Sequence, residues 1–371
     1  MGGAQLGLFT SAGFAEEVEA FIRSKLASYQ QPSARELLLE LEKEISWQSR
    51  WDFEDVVRQL MDDATLTRAD REYLQSLIED DGLHKALRGE GAPPREIVST
   101  IDAMLRQSKV YRSSKAFYEM VEFMSRFRDY APYNNMLVRL QNPNCSFYAS
   151  ARDWQTRFNR TLIEDARPML ILATRHPVML VYDLDQTEGA PLPEELSSFA
   201  QFDGEWEDEW LSRLLKNAIG HRIRIDFKPL SSTLGGFATI NRGSGDWKMR
   251  VVIHDKLNAP SSFGVLCHEL AHILLGHLGT DRDHWWPGRI NLNRAAVEIE
   301  AETVAYIVSS RLGLCGSSAA YVSGYLKDND VPAGISLDFI AKVAGHIERM
   351  VREDLPPRRT RSIRQNRGGR T

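Results

Sequence analysis

The stretch Phe263-Gly264-Val265-Leu266-Cys267-His268-Glu269-Leu270-Ala271-His272-Ile273-Leu274-Leu275 decides the reading of this 371-residue chain. Its apolar side chains run nearly all the way round a helix, the pattern of a buried element rather than a surface one. Within it, His268 and His272 stand four residues apart, so their imidazoles share one face and can reach a single ion. Glu269 follows about 100° round the axis, beside such an ion and free to hold a water. Burying two imidazoles and a carboxylate without partners costs on the order of a few kcal/mol each, and a divalent cation would settle all three together. His268 and His272 are therefore expected as metal ligands, with Glu269 as the general base of a metal-assisted amide hydrolysis.

Working outward, Pro260-Ser261-Ser262 opens the helix, with Ser261 or Ser262 as its expected cap, and the helical run extends to His277. Three alternating segments precede it and read as strands: Arg222 to Phe227, Gly235 to Ile240 and Lys248 to His254. The last of these could pair with an extended peptide, and Gly235-Gly236 would allow a close backbone approach, although a structural strand and turn account for both as well.

A hydrolytic zinc site wants a third protein ligand and an open position. The extended pattern His-Glu-x-x-His-x-x-Gly-x-x-His does not supply it, because Leu275 and Leu278 occupy the glycine and last histidine positions; His277 is either a support for the ligands or the helix end. The better source is a second helix, Arg294 to Leu312, ended by Gly313, with an apolar stripe through Val297, Ala301, Val304, Ala305 and Val308. Glu298 and Glu300 flank that stripe on opposite sides. Glu302 lies one turn beyond Glu298, so Glu298 is favoured as the ligand and Glu302 as a hydrogen-bonding partner of a ligand histidine. The donor for a transition-state oxyanion is left open among Tyr306, His277 and His284.

The remaining composition bounds the class. Hydrophobic residues make up 43% and charged residues 26%, with a net charge of -5, which excludes a disordered or collagen-like chain and a uniformly basic nucleic-acid binder. Cys145, Cys267 and Cys315 are too few and too scattered for a disulfide framework, no long apolar run suggests a membrane span, and Met1 to Leu6 lacks a signal-peptide pattern; a cytoplasmic protein is expected. Helical periodicity from Glu16 to about Gln141, including a helix after Ser33 and another from Glu54 to Met61, gives way beyond Pro143 to short β runs at Met169 to Thr174 and Val178 to Tyr182, split by His176-Pro177. Breaks fall at Arg88 to Pro94 and Glu188 to Pro193, and an acidic stretch from Asp203 to Trp210 starts a helix through Leu215. The expected class is α+β, with a helical region over 1–110, a small α/β domain over 111–190, a larger domain over 191–348, and a basic, flexible tail over 349–371.

His268-Glu269-Leu270-Ala271-His272 followed by Glu298-Ile-Glu-Ala-Glu302-Thr-Val-Ala305 resembles the ImmA/IrrE family of zincin-like metallopeptidases, with Glu302 where that family has Asn or Asp. Tyr130-Ala-Pro-Tyr-Asn134-Asn135, Trp154-Gln155 and Val181-Tyr-Asp-Leu-Asp-Gln-Thr-Glu188-Gly189 are similar to the N-terminal domain of ArdC-type antirestriction proteins. Together the resemblances cover about Tyr111 to Leu314. They imply a zincin-like domain, with a twisted sheet and the His-Glu-x-x-His helix, preceded by an ArdC-like domain of the kind associated with single-stranded DNA. Arg152, Trp154, Arg157 and Arg160 would then be the nucleic-acid contacts, arginines for phosphates and the indole for base stacking; core aromatics beside solvated arginines is the equal alternative. The expected activity is a zinc-dependent endopeptidase acting on a protein, such as a regulator or a DNA-associated factor. The alternative is a DNA-binding antirestriction or regulatory protein whose metallopeptidase-like domain is structural.

Overall fold

The computed structural model describes residues 11–28, 31–34, 36–37, 40–41, 52–81, 83, 102, 114–173, 178–191, 206–230, 234–241, 246–280, 283, 285–314 and 331–358. The expected break at Arg88 to Pro94, the His176-Pro177 turn, Asp203 to Glu205, His284, Cys315 and the tail beyond Arg358 lie outside these residues. The architecture is mixed α+β. Two compact units are each assembled from separate stretches of chain: one from 1–7, 97–207 and 295–348, the other from 8–96, 208–294 and 349–371. Each unit therefore draws on stretches that are far apart in the chain.

In the second unit, α1 (Ser11–Ala27), α2 (Phe53–Met61) and α3 (Arg68–Glu79) close a core of Val18, Phe21, Ile22, Val56, Val57, Leu60, Leu74 and Leu77, residues recurring at helical spacing. Ser33 caps as expected: Glu36 accepts from its amide and hydroxyl, and the Glu36 amide donates back to Ser33 Oγ. Thr67 and Asp70 form the same reciprocal arrangement at the start of α3.

The same unit continues through α7 (Asp208–Gly220) to β6 (Ile223–Lys228), β7 (Gly236–Ile240) and β8 (Met249–His254). The three strands match the alternating segments of the sequence, in the order β6-β8-β7, with β6 parallel and β7 antiparallel to β8. The chain then enters α8 (Ala259–Leu274), which packs across β7 and β8.

The first unit holds α4 (Ser114–Arg126), α5 (Pro132–Gln141), β1 (Tyr148–Ser150), α6 (Ala151–Thr156), β2 (Arg160–Leu162), β3 (Met169–Ile171), β4 (Met179–Asp183) and β5 (Thr187–Gly189). It is completed by α9 (Arg294–Arg311), whose first residue alone groups with the other unit, and by most of α10 (Leu337–Arg352). Its sheet has the order β1-β4-β3, and β2 pairs with β5. The open edge of β3 is occupied by side-chain amides from α5. Gln141 exchanges two hydrogen bonds with the backbone of Leu170 at 2.8 Å each, and Asn134 does the same with Leu172 at 2.9 and 3.0 Å. Each amide imitates a neighbouring strand's peptide group and satisfies an edge that would otherwise template pairing. Among the described residues no helix is long and apolar enough to cross a membrane.

Candidate metal centre

α8 starts with Asn258, whose side chain accepts from the Ser261 amide at 2.9 Å; it is the cap in place of the serines expected from the sequence, with Pro260 in the first turn, where a missing N–H costs nothing. The helix is buried from Ser262 to Leu274, His268, Glu269 and His272 included. Its close seat on the sheet depends on Gly236: a Cβ there would lie 2.6 Å from Val265 Cγ1 and 2.7 Å from the Val252 carbonyl oxygen. Helix packing therefore accounts for that glycine. Likewise β8 cannot receive an extended peptide, because β6 and β7 already take both its edges; the sequence pattern shows a strand but not which of its edges is free.

The i, i+4 spacing does what the sequence promised. His268 Nε2 and His272 Nε2 face each other at 3.0 Å, with ring centroids 4.7 Å apart. α9 adds Glu298, and one ligand atom from each of His268, His272 and Glu298 lies within 4.8 Å of the others, all three side chains buried. Two imidazoles and one carboxylate form a borderline-soft, net-anionic donor set of the kind that suits a divalent transition ion. Burial first, then the neighbouring imidazoles of His268 and His277, hold the His272 pKa well below its ordinary value. Its ring is therefore neutral at physiological pH and keeps a lone pair for a ligand role. The residues present fit a metal ion.

Glu298, favoured by the sequence, joins the histidine pair, whereas Glu300 turns to another helix. Glu300 accepts from the Ser336 amide at 2.6 Å, just ahead of α10, and Ser336 Oγ donates to Asp102 at 2.5 Å. Glu300 thus serves a helix N-terminus, whose free amides favour a carboxylate. Glu302 is buried one turn beyond Glu298, as the spacing requires. Glu269 is fully buried next to His268 in sequence. Of the open oxyanion candidates, Tyr306 is hydrogen-bonded to Tyr118, whereas His277 touches the site: its Nδ1 is 2.9 Å from His272 Nδ1.

The nucleic-acid candidates fare differently. Trp154 is fully buried in the aromatic core with Phe147 and Phe158, and its Nε1 donates to the Tyr182 carbonyl at 2.9 Å. It is a core residue and offers no face for base stacking, which corrects the expectation. Arg160 is spent on the β2–β5 pair, donating to Thr187 Oγ1 and to the carbonyls of Thr187, Gly189 and Ala190. Arg157 pairs with Asp129 at 3.0 Å and lies over Phe158, and Arg152 is exposed. The buried indole decides in favour of core aromatics, because the same alternation of rings and arginines serves either purpose until packing is known.

No family model, curated protein or solved structure matches this chain.

Proposed function

We propose that the chain is a zinc-dependent endopeptidase of the ImmA/IrrE type, hydrolysing a peptide bond in a protein substrate. The observation that carries this reading is the meeting of His268, His272 and Glu298 within 4.8 Å, with Glu269, the next residue after His268, also buried. His268, His272 and Glu298 would hold the ion. When bound, zinc supplies Lewis acidity toward the scissile carbonyl and lowers the pKa of water. Glu269 accepts the proton of the attacking water at a carboxylate oxygen and returns it to the leaving amine. Its burial excludes bulk water, so the proton is kept for the leaving group. The neutral, desolvated His272 ring keeps its lone pair available.

Glu269→Gln tests the assignment. It preserves shape and leaves the three ligands intact, so zinc content should stay at that of the wild type while turnover of an unfolded protein substrate falls at least about a thousandfold. Retained turnover would remove Glu269 from its role. The reading as a single-stranded DNA-binding regulator is left with Arg152 and Arg157 as surface cations. A salt-dependent affinity for single strands that both charge reversals abolish, with full biological effect in the Glu269→Gln protein, would favour that reading instead.

A further inference from the structure

α8 ends in a turn that returns the chain onto its own metal-binding face. Leu275 is the C-cap, Gly276 follows at φ +82°, and the amides of Gly276 and His277 donate to the carbonyls of Ile273 and His272, each at 3.0 Å. These two bonds are the Schellman pattern, which brings the second residue past the cap over the residue three before it. Ordinarily two apolar side chains meet there. Here the two side chains are His277 and His272, with ring centroids 5.1 Å apart and the two Nδ1 atoms at 2.9 Å.

The turn is held from outside as well. The Arg289 amide donates to the Gly276 carbonyl at 2.8 Å, and a Cβ on Gly276 would run into the Pro287 carbonyl. Only glycine meets both the left-handed φ and that contact. His277 is fully buried, so its ring has little freedom to turn away.

We propose that His277 is a positioning residue that fixes the tautomer of His272; the inference rests on the metal-centre reading above. A neutral imidazole has one N–H and one lone pair. For His272 to offer its Nε2 lone pair toward His268 and Glu298, its hydrogen must sit on Nδ1, and the group placed to accept it is His277 Nδ1. His277 then carries its own hydrogen on Nε2. Many ligand histidines are oriented by a carboxylate or a carbonyl in this place; this chain uses a second imidazole, supplied by the helix's own terminal turn.

The test uses the full chain and zinc alone, with affinity read by competition against a chromophoric chelator. His277→Phe keeps the planar ring and removes the acceptor, and should weaken zinc binding ten- to a hundredfold, a typical loss for removal of such a support. His277→Asn puts a carbonyl oxygen near the Nδ1 position and should recover most of the loss. In the zinc-loaded wild type, ¹⁵N–¹H correlation spectra should show a proton on His272 Nδ1 and on His277 Nε2. Wild-type zinc affinity in the Phe protein, or a His272 ring without an Nδ1 proton, would overturn the proposal. If the Phe protein fails to fold, the Asn protein and the wild-type spectrum decide. A wild type that holds no more zinc than His272→Ala would instead sink the metal centre itself, and the positioning role with it.

Discussion

Replacing Gly236 with alanine tests whether the seat of α8 on the sheet governs the metal centre. The backbone at Gly236 is not left-handed, so the added methyl is opposed by contact rather than by backbone strain, and the small entropic gain in the unfolded chain works against that cost. It would stand 2.6 Å from Val265 Cγ1 and 2.7 Å from the Val252 carbonyl oxygen, where ordinary contact begins at 3.4 Å. The shortfall approaches 0.8 Å on the side of the helix. Val265, β-branched in a helix, has essentially one available rotamer, and the Val252 oxygen belongs to the central strand, so neither can turn aside. The helix must move out or the sheet must bend, at a cost of about 2–3 kcal/mol, as for other overpacked cores. With an m-value of roughly 2–3 kcal/mol/M, the urea midpoint should fall by about 1 M. Val265 is three residues ahead of His268 on the same helix, and a metal site tolerates only about 0.5 Å of misplacement. Zinc affinity should therefore drop by about tenfold or more in the same protein. Both are measurable on one preparation, by urea unfolding after chelation and by chelator competition. An alanine protein with unchanged midpoint and unchanged zinc affinity would refute the claim that this contact sets the position of the ligands.

Other consequences are open to direct measurement. Arg311 is buried against Glu348 at 2.8 Å and donates to the carbonyls of Phe127, Arg128 and Tyr130 beyond the end of α4; Arg311→Ala strands that carboxylate and should lower unfolding free energy by about 3–5 kcal/mol in urea titrations. His221 is held below its ordinary pKa of 6.5, chiefly by burial, while its Nδ1 lies 2.8 Å from the Asn217 carbonyl. The unfolded chain therefore takes up a proton near pH 6.5 that the folded one refuses, so stability should be full above that pH and fall below it, and His221→Leu should flatten the decline between pH 7.5 and 5. Cys145 and Cys267 are buried with thiol pKa values pushed up, by desolvation in both and by Asp183 beside Cys145. Site-resolved mass spectrometry after alkylation at pH 8 should find both unmodified in the folded protein and labelled in urea.

The sequence alone determined what depends on spacing within one element. His268 and His272 share a helix face because the helix repeats every 3.6 residues, and the β6 segment alternates because a strand has two faces, while β7 and β8 were legible from their β-branched and apolar runs. Gly313 marks the end of α9 in both readings, with φ +83°. Gly276 carried a legible signal that the sequence reading did not use: a glycine just past the cap returns the next residue to the turn three before it, which is how His277 reaches His272. By contrast, the cap expected at Ser261 or Ser262 is Asn258, because all three side chains can accept from a helix amide and only the fold shows where the helical backbone begins. The three-residue strands β1, β2 and β5 are too short to show a period.

Tertiary structure decided everything that rests on who sits opposite. Along the chain Glu298 is favoured over Glu300 only by the turn that joins it to Glu302; the folding of Ser336 against Glu300 gives one of them a helix to cap and leaves the other beside the histidines. Trp154 and its neighbouring arginines read equally well as a stacking surface or a core until the indole is found closed in and bonded to Tyr182. Local periodicity is a property of covalent geometry and is written into the residue order. The partner of a side chain is chosen by the packing of segments far apart in the chain, and only the folded molecule records that choice.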